Sequence, residues 1–150
     1  MTDRSHDINV LNCLIALTLD SSHGYREAAE QSRNVMIVDL FERWSSERCR
    51  VVEGLRDMVR ELGGTPEDDG TVLASAHRIF LDLRAHIGGS DKGVVEEVER
   101  GEDHIKHKFE KSLKDKKLGS QARTAIQTAY VSVSTGHDEM RDLKQSYGQS

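Results

Sequence analysis

VMIVDLFERWSSERCRVVEGLRDMVREL, residues 35–62, runs into GGTPEDDG, residues 63–70. In the first part Ile37, Leu40, Phe41, Trp44, Val51, Leu55, Met58 and Leu62 recur at three- and four-residue steps, the period of one face of a helix. Asn34 precedes the run and can cap it. The second part holds the only proline of the chain, Pro66, behind Gly63 and Gly64, so the helix stops there and a turn follows. Upstream, Ile8, Leu11, Leu14, Ile15, Tyr25 and Ala29, with Thr18 and Ser22 filling the same stripe, predict a helix from about Asp7 to Ser32. The link to Val35 is too short for anything but an antiparallel hairpin. Downstream, Val72, Ala76, Ile79, Phe80, Leu83 and Ile87 predict a shorter helix over 71–87, ended by Gly88 and Gly89. Ser90 or Asp91 can cap the next helix, to about Leu113, with Val95, Val98, Ile105 and Phe109 on its inner face. After Leu118 and Gly119 a last helix starts at Ser120 and carries Ala122, Ile126, Ala129, Val133, Met140 and Leu143. The expectation is an all-α chain forming one domain over 1–150: an antiparallel four-helix bundle with a short extra helix between its second and third helices.

Composition narrows the classes of function. A chain of 150 residues can bury a core without disulfides or metal. Its longest apolar stretch, Val10 to Leu19, is broken by Asn12 and Thr18 and falls short of the roughly 18 to 20 residues of a membrane span, so no membrane role is expected. Residues 1–9 carry Asp3, Arg4, His6 and Asp7 and lack the pattern of an export signal, which points to a cytoplasmic location. Two cysteines, Cys13 and Cys49, are expected as free thiols. The net charge of -5 argues against nucleic acid as a partner, and the basic run Lys106 to Lys117 suits a helix C-terminus.

The informative positions are the ionisable ones inside apolar stripes, because a bundle core normally excludes charge. Glu47 lies between Trp44 and Val51, Glu102 between Val98 and Ile105, and His137 between Val133 and Met140. Residues equidistant from a turn share a level in an antiparallel pair. Glu102 and His137 should therefore face each other, and Glu47 should stand level with Asp20 to His23, with His23 on the flank of its stripe and Asp20 pointing away. Carboxylates and imidazole from several helices in one layer are the ingredients of a metal site. The alternative is that Arg48 or Arg50 neutralises Glu47, that Arg100 or Lys106 neutralises Glu102, and that His137 is a hydrogen-bonded core histidine. His104, His107, Asp103 and Glu110 read as a solvated charged face, and His77 and His86 need no special role. No nucleophile triad or phosphate-binding glycine loop is present.

SHGYREAAE (22–30), Glu47 to Arg50, ELGGTPEDDG (61–70) and VERGED (98–103) together resemble a bacterial ferritin-like four-helix-bundle domain family of uncharacterised function, over nearly the whole chain. The resemblance implies the ferritin-like superfamily's ligand pattern: a Glu from the first and third helices and Glu-x-x-His from the second and fourth, holding two irons. Glu47 matches the second-helix Glu, but Arg50 stands where its His belongs. Glu102, or else Glu99, matches the third-helix Glu. His137 matches the fourth-helix His, with Ser134 in place of its Glu, and Ser22 or His23 stands where the first helix has its acid. So depleted a set implies no oxygen-activating di-iron centre. What the resemblance leaves is either a single Fe or Zn ion on Glu47, Glu102, His137 and His23, or an empty site repaired by arginine. A non-enzymatic bundle with no organic cofactor is expected, against the alternatives of a homodimeric interaction module that covers Val10, Cys13 and Leu17, and a di-iron oxidase or iron-storage protein.

Overall fold

The structure is a computed structural model and describes residues 4–68 and 90–148. Four helices account for it: α1 (Arg4–Gln31), α2 (Val35–Glu61), α3 (Asp91–Leu113) and α4 (Ser120–Gly148). The extra helix expected over 71–87 falls outside the described residues.

The ends of the helices follow from local chemistry. Asn34 caps α2 as its sequence suggests, its side-chain oxygen accepting from the backbone N–H groups of Met36 at 2.9 Å and Ile37 at 3.4 Å. At the other end Gly63 takes a positive φ of 85°, and the N–H groups of Gly63 and Gly64 turn back onto the carbonyls of Arg60 and Val59. These are the paired bonds of a Schellman ending, which needs a residue without a Cβ at Gly63. Gly64 lies against Ile8 of α1, where a Cβ would come within 2.8 Å of its side chain. α3 begins differently from expectation. Ser90 makes no side-chain cap, and the Asp91 carboxylate instead accepts from the backbone N–H groups of Arg33 and Asn34, both at 2.9 Å.

Those contacts set the topology. α2 ends beside the start of α1, whereas α3 starts beside the α1–α2 turn, so the ends of the 62–91 connection lie at opposite ends of the bundle. α3 then runs back to the start of α1, where His6 bonds Asp115 at 2.6 Å and the buried Asp7 accepts from the Gly119 N–H at 3.0 Å. α1 is thus antiparallel to α2 and α3, and α4 is antiparallel to both as well. α1 and α4 lie on the diagonal and barely touch.

The core is continuous from Leu118, Ala122 and Leu11 at one end to Ile37 and Val94 at the other, with Phe41, Leu55, Val98, Ile105, Phe109, Ile126, Val133 and Met140 between. Every inner position expected on α3 is buried. On α2 the buried face is rotated slightly from the expected one: Ser45, Arg48, Val52 and Val59 are inside, while Leu40 and Met58 are only partly covered. Val10 and Leu17 of α1 pack partly against the core, and Cys13 and Cys49 are free, exposed thiols. Asp20, expected to point outward, is buried.

Candidate functional site

The middle of the bundle holds an ion pair. Arg48 from α2 and Glu102 from α3 have no exposed surface, and Arg48 Nη2 lies 2.8 Å from each carboxylate oxygen. Tyr25 of α1, also fully buried, donates its hydroxyl to Glu102 Oε1 at 2.8 Å. Arg48 Nη1 donates to Ser21 Oγ at 3.2 Å, and the guanidinium lies beside the stacked rings of Tyr25 and Trp44, 5.7 and 5.5 Å from their centroids. α4 closes the fourth side with Gly136. A Cβ there would lie 2.5 Å from Arg48 Nη2, 3.1 Å from the Trp44 ring and 3.3 Å from Glu102 Oε2, so the absence of a side chain is what makes room for the pair. Burial pushes the Glu102 carboxyl upward from its ordinary value, opposed by Arg48 and the two hydrogen bonds. The Tyr25 hydroxyl is held well above the usual phenol range by burial and by the Glu102 charge.

The residues expected as ligands are dispersed. Glu47 is not in the interior: it turns to the α2–α4 surface, accepts from Ser132 Oγ at 2.8 Å and meets Arg50 at 3.5 Å. It stands over a groove of about 310 Å³ floored by Val51, Leu55, Ala125 and Ala129. Glu102 is interior as expected, but its countercharge is Arg48, while Arg100 and Lys106 pair with Glu97 and Glu110. His23 is half-buried on α1. The level of Glu47 is nevertheless close to expectation, since Ser22 Oγ donates to the Ser45 carbonyl at 2.9 Å and lies 3.2 Å from Cys49 Sγ.

His137 is buried, yet it faces the seam between α3 and α4. Its Nε2 lies 2.5 Å from Asp103 Oδ1, and its Nδ1 lies 3.2 Å from Asp138 Oδ1. One helical turn before Asp103, the mostly buried Glu99 completes a set of three residues whose donor atoms all lie within 4.8 Å of one another. Lys144 reaches Glu99 Oε2 at 3.3 Å. Among the described residues this is the one group of three or more His, Cys or acidic side chains so placed, and Glu47, Glu102 and His23 do not belong to it. By sequence Asp103 reads as part of a solvated charged face, and its side chain is 58% exposed. The signal for it was the spacing Glu99-x-x-x-Asp103, which puts both carboxylates on one side of a helix.

The two iron ions of the ferritin-like pattern do not fit this interior. The centre of the layer is filled by a guanidinium whose Nε has no hydrogen-bond partner. Cations placed against it would meet a like charge in a dry core and compete for Glu102, the carboxylate already paired with it.

No curated protein matches the chain. Among solved structures it is similar to the bacterioferritin-related protein from Bacteroides fragilis, described as a dodecameric thioferritin, at 12% identity and a TM-score of 0.78, over 99% of this chain and 89% of that one. That likeness gives the fold, an all-α ferritin-like bundle. No described helix is long and apolar enough to cross a membrane. Residues 6–115 match a domain of unknown function, DUF2383, and the chain belongs to that family, whose function is uncharacterised.

Proposed function

We propose that the protein is a non-catalytic ferritin-like scaffold, cytoplasmic and working through assembly with a second copy of itself. The observation that carries this is the buried Arg48–Glu102 pair at the centre of the bundle. It satisfies electrostatically the acid that an interior ion would otherwise bind, so a single Fe or Zn ion on Glu47, Glu102, His137 and His23 finds no support in the geometry. The same pair argues against the di-iron oxidase and iron-storage readings. Val35 and Met36, side by side at the start of α2, are large apolar side chains left exposed, which is in keeping with a surface covered in an assembly. The solved ferritin-like neighbour is dodecameric.

Two measurements test it. Purified protein supplied with ferrous iron should consume oxygen no faster than buffer. Light scattering should give a mass above that of one 16.8 kDa chain. Iron-dependent oxygen uptake abolished by Glu47→Ala would overturn the non-catalytic part, and a monomer at every concentration would overturn the assembly.

A further inference from the structure

We propose that the α3–α4 seam binds one divalent transition-metal ion, zinc by preference, through Glu99, Asp103 and His137. The site lies outside the Arg48–Glu102 core and shares no residue with it, so it stands or falls separately from the scaffold reading.

Donor placement is the first ground. Glu99 and Asp103 are four residues apart on α3 and project from one side of it, while His137 arrives from the antiparallel α4. Their donor atoms already lie within 4.8 Å of one another. Ligands bonded to a common zinc at about 2.0 to 2.2 Å are separated by about 3.5 Å. The widest pair must close by roughly 1 Å and Asp103, 2.5 Å from His137 Nε2, must open by a similar amount, both within the reach of rotamer adjustment of two carboxylates.

The second ground is the orientation of the imidazole. Its Nδ1 is held against Asp138 Oδ1 at 3.2 Å, and the opposite nitrogen, Nε2, points at Asp103. Each ring nitrogen thus faces a carboxylate, and with an ion on Nε2 in place of the proton shared with Asp103, the Asp138 contact would hold the Nδ1 proton, the outer-sphere arrangement common at zinc histidines. His137 is 9% exposed and cannot swing into solvent, so its direction is set by packing.

Charge and access agree. Two carboxylates share the seam, and the cation reaching it is Lys144, which touches Glu99 at 3.3 Å from a side chain that is 47% exposed. That ammonium can withdraw to water when a stronger cation arrives. Asp103 is 58% exposed, giving an ion its way in and leaving a fourth position for water. One imidazole and two carboxylates suit a borderline first-row ion. Magnesium and calcium, which require six or more oxygens, are poorly served.

The test uses the untagged full chain, stripped with chelator and titrated with zinc against a chromophoric competitor. One equivalent is expected. His137→Ala and Asp103→Asn should each weaken binding about tenfold or more. Lys144→Met should tighten it, and Glu47→Gln should leave it unchanged. Cobalt in place of zinc should give the intense visible bands of a four-coordinate ion. Asp103→Asn is the decisive variant, because so exposed a substitution leaves the fold intact, and melting in chelator verifies that. Less than about a tenth of an equivalent at micromolar zinc would overturn the proposal. So would unchanged affinity in Asp103→Asn, or loss of binding in Glu47→Gln.

Discussion

Replacing Arg48 by Met removes one partner of a fully buried ion pair and leaves Glu102 with only the Tyr25 hydroxyl. Methionine fills the aliphatic part of the space beside Tyr25 and Trp44, so the dominant loss is electrostatic. Breaking a buried pair from one side typically costs about 3 to 5 kcal/mol, against a total stability of about 5 to 15 kcal/mol for a domain. At 150 residues that is a fall of roughly 10 °C or more in melting temperature. The loss should depend on pH. The Glu102 carboxyl is already raised by burial in the wild type, and Arg48 is the largest influence holding it down. An acid whose folded pKa is raised favours folding most below its unfolded pKa, where it is protonated in both states. That advantage fades as pH rises through the folded pKa. Removing Arg48 raises the folded value further, so the deficit of the variant should be complete at neutral pH and shrink on acidification. Calorimetry in excess chelator at several pH values measures this. The double variant Arg48→Met, Glu102→Leu should recover most of the loss, because no unpaired charge remains buried. A single variant within about 1 kcal/mol of wild type at neutral pH, or a deficit that does not narrow towards acid, would refute the reasoning.

Gly136→Ala should lower stability by about 1 to 3 kcal/mol despite the roughly 1 kcal/mol that alanine gains over glycine in a helix, because its Cβ would sit 2.5 Å from Arg48 Nη2; thermal melting of the variant gives the sign. All three tyrosines are raised from their ordinary range, Tyr130 to about 12 and Tyr25 by burial beside Glu102. An ultraviolet titration should show little phenolate near pH 10, with Tyr25 ionising only as the bundle unfolds; three phenols ionising together near pH 10 would contradict the packing around them. Asp7→Ala strips the buried acceptor from the Gly119 N–H at the start of α4, and urea unfolding should register a loss of about 1 to 2 kcal/mol.

The periodicity of apolar residues, the glycine pair after Leu62 and the cap at Asn34 were enough to determine four helices, their order and the level of each polar residue along the bundle. Levels follow from counting residues at a constant rise, and tertiary contacts do not alter that count. What the sequence left open was direction around each helix axis. Between Trp44 and Val51, Glu47 and Arg48 lie about 50° to either side of the midline, so those two flanking residues favour neither. Phe41, Val52, Leu55 and Val59 tip the balance to Arg48, and whether an arginine could occupy that place depended on Gly136 of a helix some 88 residues away and on Glu102 and Tyr25 to partner it. The same 100° step between consecutive residues put Gly136 on the inner face of α4 and turned His137 to the seam, where it meets Asp103. Local spacing determined which residues stand at one height, and only the packing of four helices together decided which of them meet, because a buried charge takes the orientation in which its partner is supplied from another helix.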